Sequence, residues 1–252
     1  MSIYKPRLPF CLTMVFSFLA ANTSTAQSIE DAYAAYTEGR FVEATEIAET
    51  LQTSEGHALA ANSLAIYSYY VADDGSKQGL FTRAALLAQE AIRLDASNPQ
   101  AHLQWAHSTG RYAQTIGVLK AANQGYAKKV RDSIKTALEL DPEMASAHLS
   151  LATWHAEAIS AGGFMAGVLY GASRKKALAQ FEKALELAPE QKVVLVEYGL
   201  GLLRLGGGAN RKRAHDLLLR SSQIPSLDAH DRILHQLAVR QLEVLDGQNP
   251  PK

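Results

Sequence analysis

Cysteine is almost missing from this chain. The one cysteine, Cys11, falls within the first dozen residues, so no disulfide framework can be drawn. Long apolar runs are also missing beyond Leu8 to Ala21, which removes a membrane-spanning helix from the rest of the chain. There is no basic excess, since 25 Lys and Arg stand against 25 Asp and Glu. That balance argues against bulk nucleic-acid binding. Strand-like alternation is absent. So are the Gly-x-Ser-x-Gly elbow, His-Glu-x-x-His, the phosphate-loop lysine motif and a cysteine nucleophile. No cofactor is implied. Gly206 to Gly208 ahead of Arg211 could suggest a phosphate cradle, but no strand precedes it and a helix-ending turn needs glycine there.

The first 26 residues have the make-up of a secretory signal peptide. Lys5 and Arg7 precede the apolar run, and Ser24 to Ala26 supply small residues for cleavage before Gln27. The expectation is an exported, periplasmic protein, with an uncleaved anchor as the alternative. Removal of residues 1–26 would leave 23 basic and 25 acidic residues and no cysteine.

What the chain does contain is repetition. Ala-Leu-Glu-Leu-Asp-Pro at 137–142 returns 47 residues later as Ala-Leu-Glu-Leu-Ala-Pro at 184–189. A helix end closed by proline and repeated at a fixed spacing signals stacked helical units. Ala177, Phe181 and Ala184 lie on one helix face, as do Val130, Ile134 and Ala137, then Ala84, Ala88 and Ala91. Ala44, Ala48 and Leu51 open this series, and Ala214, Leu218 and Ser221 close it. Preceding helices carry a large–small pair at the crossing: Leu64-Ala65, Trp105-Ala106, Leu151-Ala152 and Tyr198-Gly199.

With Gly39, Phe41 and Ala44 in the first unit and the 184–189 phrase in the fourth, the chain resembles the tetratricopeptide repeat family. The resemblance spans roughly residues 28 to 225. It implies an all-α fold, a right-handed α-solenoid of about five helix pairs, and a non-catalytic scaffold for a protein or peptide partner. The expected division is a signal peptide at 1–26, repeats at 27–225, a capping helix at 226–246 and a disordered tail at 247–252. By layout rather than motif, the chain also resembles periplasmic repeat proteins associated with TRAP transporters, and the regulator-of-microtubule-dynamics proteins. An accessory ligand-binding role in a solute transporter is therefore the alternative function.

The chain departs from the family's period of 34. Marker positions 44, 84, 130, 177 and 214 are spaced 40, 46, 47 and 37 residues apart. The excess is expected between the two helices of the middle units, where Gly-Val-Leu recurs at 117–119 and 167–169. Residues 159–171 carry no charge, and are read either as buried against the stack or as an apolar lip. Basic residues precede the markers where the family favours acids: Arg83, Lys128, Lys129, Lys175, Lys176, Lys212 and Arg213. Stacked in register, they are expected to form a basic ridge, read either as suited to an acidic surface or anionic lipid or as a solvated row paired with local acids such as Asp132 and Glu182.

The repeat register places Tyr69, Tyr70, His107, Arg111, Thr153, Glu157 and Arg204 on the concave face, where this family holds peptides. A metal-dependent enzyme built on His148, His155 and Glu157 is the third reading, weighed against histidines that merely pack, as His102 and His148 would near their helix starts.

Overall fold

The computed structural model describes residues 27–247. The expected signal peptide and residues 248–252 of the expected tail lie outside them. The described chain is helical throughout, in five antiparallel pairs and two further helices. The pairs are α1 (Ile29–Glu38) with α2 (Phe41–Thr50), and α3 (Ser54–Tyr70) with α4 (Asp74–Leu94). Next come α5 (Pro99–Thr115) and α7 (Tyr126–Leu140), separated by the short α6 (Val118–Asn123). Then follow α8 (Ala145–Tyr170) with α9 (Arg174–Leu187), α10 (Lys192–Leu205) with α11 (Gly208–Gln223), and the final α12 (Ala229–Gly247).

Local chemistry sets the boundaries. Ser28 and Asp31 form a reciprocal capping box at α1. Thr53, Asp73, Asn98 and Ser173 each accept a backbone N–H at the start of their helices. Pro99 sits in the first turn of α5, where its missing N–H costs nothing.

The marker alanines Ala44, Ala84, Ala177 and Ala214 are fully buried, as are Ala106 and Ala152 opposite them. One crossing differs from the sequence reading. In the second unit the buried small residues are Ala60 and Ala61, and Ala61 stands eight residues after the N-cap as Ala106 and Ala152 do, while the Ala60 carbonyl accepts from Thr45 Oγ1 at 3.4 Å. Ala65 lies on the concave side instead. In the fourth and fifth units Phe181 stacks flat on Tyr198, with centroids 4.7 Å apart and planes 7° from parallel. The ring of Phe181 leaves no room for a side chain on Gly201, where a Cβ would lie 2.2 Å from Cζ.

The enlarged units are built in three ways. The second unit extends α4 at its start, so Arg83 lies well inside that helix rather than at its N-terminus. The third adds α6, begun at Gly117 with φ 86°. The fourth prolongs α8 through a kink at Gly163, where φ is 52° and ψ −131°.

The two ends of the helical array meet. α12 packs on α10 and α11 through Val196, Leu218, Leu234 and Ala238. Its first turn also reaches the opposite end of the stack, where Ala229 joins Phe41 and Ile66 in one apolar cluster. Arg232 Nη2 donates to the carbonyls of Thr37 and Glu38 at 3.3 and 3.4 Å, at the negative end of the α1 dipole. Thus α12 both covers the last unit and closes the array across its concave side.

Candidate functional site

The concave side holds a half-open hollow of about 330 Å³. Tyr69, Tyr70, His107, Arg111, Thr153 and Glu157 all line it. Arg204 stands beside it, with Nη2 3.9 Å from Glu157 Oε1. The first helices pack directly from α1 to α3, α3 to α5 and α8 to α10. Between α5 and α8, long side chains bridge the space: Gln114 Nε2 lies 3.4 Å from Glu157 Oε2, and His107 Nε2 lies 2.6 Å from Ser150 Oγ.

That last contact fixes a tautomer. The Ser150 hydroxyl gives its proton to Ser146 O at 2.7 Å. Its oxygen must therefore accept from His107 Nε2–H, which leaves Nδ1 as an acceptor. Burial, with the positive charge of Arg111 and the proximity of His230, pushes the His107 pKa down to about 4. The ring is enclosed by protein yet open to solvent within the hollow, and it is neutral at pH 7.

Arg111 is held over the Tyr69 ring, 3.9 Å from its centroid, and donates to Gln114 Oε1 at 3.1 Å. It makes no carboxylate ion pair among the described residues. Glu197 faces it across the hollow, and burial raises the Glu197 pKa against the opposing pull of Arg111 and Arg204. The wall therefore offers one long ion pair, Arg204 with Glu157, and beside it Arg111 and Glu197, which make no ion pair among the described residues.

Two groups in this wall escaped the sequence reading. Gln104 is 5% exposed, lines the hollow, and its Oε1 has no hydrogen-bond partner. Glu197 is the second. A signal was present for Gln104: Gln100, Gln104, His107, Arg111 and Gln114 form one polar stripe along α5 at helical spacing.

The basic residues form no uniform ridge. Arg83 pairs with Glu49 at 2.7 Å and Arg213 with Glu182 at 2.6 Å, the same contact between successive second helices at either end of the stack. In the middle units Gln89 and Lys135 occupy the positions of those acids. Lys128, Lys129, Lys175 and Lys176 make no ion pair among the described residues, and neither does Lys212. Lys176 Nζ instead donates to Gly171 O at 3.1 Å.

The histidines do not converge. His148 Nε2–H donates to Pro142 O at 2.9 Å, and Nδ1 lies 2.6 Å from Gln180 Oε1. His102 Nε2–H makes the matching contact to Ala96 O at 2.9 Å, so both rings tie down the turn before their helix. His155 is buried edge-on against Trp154. Among the described residues no three His, Cys, Asp or Glu side chains are placed to hold a metal ion.

The family model for regulator of microtubule dynamics protein 1-3 matches residues 25–246. The sequence matches no curated protein. Among solved structures, a thermophilic TPR protein from Thermus thermophilus is 16% identical, over 84% of this chain and 97% of that one, with a TM-score of 0.60. At that identity the likeness concerns the fold. A TPR protein with an unusual peptide-binding site is 14% identical, over 84% and 90% of the two chains, at a TM-score of 0.39, too low to carry an argument.

Proposed function

The chain belongs to the regulator of microtubule dynamics protein 1-3 family, and from that footing we propose that it is an exported, non-catalytic binding scaffold whose hollow receives a short segment of a polypeptide partner. The observation that carries this reading is Arg111 in the wall, held over the Tyr69 ring with no carboxylate ion pair among the described residues. A guanidinium there can donate to a peptide carbonyl or a side-chain carboxylate. Glu197 supplies the complementary charge, and Tyr69 and Tyr70 supply flat apolar area.

The wall carries charge of both signs, so the preferred segment is polar and near neutral rather than strongly acidic. The partner is sought by crosslinking pull-down from the exported fraction and then titrated calorimetrically with purified chain. Arg111→Glu and Tyr69→Ala each lower affinity at least about tenfold. Affinity equal to wild type in both variants would exclude the hollow as the site.

A second reading has its own support. α12 closes the hollow, and about 330 Å³ lies in the small-molecule range. As an accessory of a solute transporter, the chain would retain a small solute there. Native mass spectrometry of the purified protein separates the two: a bound mass of a few hundred daltons would favour the solute.

A further inference from the structure

The two insertions contain no acidic residue: neither 116–131 nor 158–181 has an Asp or Glu. They meet on one edge of the stack. Arg131 Nη1 donates to Tyr170 O at 2.8 Å, and Trp154 Nε1 donates to Ala127 O at 2.9 Å. These bonds tie the first two turns of α7 to the middle and the C-terminal end of α8. Past the Gly163 kink, Ala166 is buried and pins the segment, while Phe164, Met165, Val168 and Leu169 stand on the opposite face in solvent. Val118 and Leu119 of α6 are 79% and 83% exposed, and Phe164 is 84% exposed. Lys120, Lys128, Lys129 and Lys175 flank these tips, all exposed and outside any ion pair among the described residues.

We propose that this edge docks on an anionic lipid bilayer. An apolar patch projecting into water marks an interaction surface. Its occupant must be apolar where Phe164 and Leu119 enter and anionic around them. A bilayer interface containing acidic headgroups supplies both, as it does for amphipathic segments that lie in the interface. A second copy of the chain is disfavoured, because a two-fold contact through this edge would set lysines against the same lysines. Among the described residues no helix is long and apolar enough to cross a membrane, so the docking is peripheral. It uses no residue of the hollow and stands independently of the function proposed above.

The test is vesicle flotation of the full chain, with residues 1–26 alike in every variant. Wild type floats with vesicles of phosphatidylcholine containing phosphatidylglycerol, much less with phosphatidylcholine alone, and less again as salt is raised. Lys128→Glu, Lys129→Glu and Lys175→Glu together lower partitioning on the order of a hundredfold. Phe164→Ser with Leu169→Ser lowers it at least about tenfold. All five positions are exposed, so helicity by circular dichroism and the melting midpoint stay near wild type. Equal partitioning of wild type to both vesicle types, or unchanged partitioning of both variants, overturns the proposal. So does a wild-type dimer in sedimentation that Phe164→Ser with Leu169→Ser converts to monomer, which would make the edge a self-association surface.

Discussion

Ala229 lies so close to Gly39 that a Cβ on the glycine would sit 2.9 Å from the alanine Cβ. These residues belong to opposite ends of the array, and their contact closes it. Gly39 also has φ 94°, a conformation that other residues adopt at a cost. Gly39→Ala therefore combines backbone strain with a clash, destabilising by about 2 kcal/mol. Because the clash pushes α12 away, small-angle scattering should also register a larger radius of gyration. Gly79→Ala, inside α4 with open space and ordinary φ, is the control: it raises stability by about 0.5–1 kcal/mol and leaves the radius of gyration unchanged.

Gly201 and Gly199 give a graded pair. A Cβ on Gly201 would lie 2.2 Å from Phe181 Cζ, whereas one on Gly199 would lie 3.0 Å from Leu218 Cγ, the branch of a flexible side chain. Gly201→Ala must break the Phe181–Tyr198 stack and is expected to cost about 3 kcal/mol. Gly199→Ala costs less than half of that. Thermal melting of the two variants side by side checks the order.

Lys192 is 2% exposed, and its Nζ donates to Ser221 O at 2.8 Å and Ile224 O at 2.7 Å, capping the end of α11. Lys192→Met keeps the stem but leaves both carbonyls without their donor. A loss of about 2 kcal/mol is expected, read as a lower urea midpoint with an unchanged slope.

Acid should weaken the fold through His155. Burial first, then the nearby charges of Lys176, Lys135 and Arg131, push its pKa down to about 4 from the ordinary 6.5. Between those values the unfolded chain holds a proton that the native chain does not. Stability therefore rises with pH across that window and is lost as pH falls through it. His155→Phe removes the titration, so the gap between variant and wild type should shift by up to about 3 kcal/mol between pH 7 and pH 4. A constant gap would contradict the account.

Much of this scaffold was legible in the sequence, for a physical reason. Marker alanines such as Ala84 and Ala177 must be small wherever helices cross, and Pro142 and Pro189 must stand where helices end, so local pattern carries the register. Register alone brought Tyr69, His107, Arg111 and Glu157 to one wall. The closure by α12 was not legible, because Gly39 and Ala229 are linked by no local pattern. Lys192 reads as surface until Ser221 and Ile224 are seen around it. The two Gly-Val-Leu triplets look equivalent in sequence, yet Gly117 opens a separate helix while Gly167 lies within α8. The break in α8 falls at Gly163 instead. Gln104 was overlooked because a single glutamine carries little signal; the stripe it shares with Gln100 and Gln114 is the feature to read.

The central claim is that the hollow holds a polypeptide segment. Its most direct test is photocrosslinking from inside that space. A photoreactive phenylalanine analogue replaces Gln114, which is exposed within the hollow, or Leu86, which is exposed on α4 outside it. After illumination with the isolated partner, mass spectrometry should find one partner peptide joined at position 114, no adduct at position 86, and loss of the adduct when Arg111→Glu is added. Crosslinking that is equal at the two positions, or that persists at 114 with Arg111→Glu, would contradict the account.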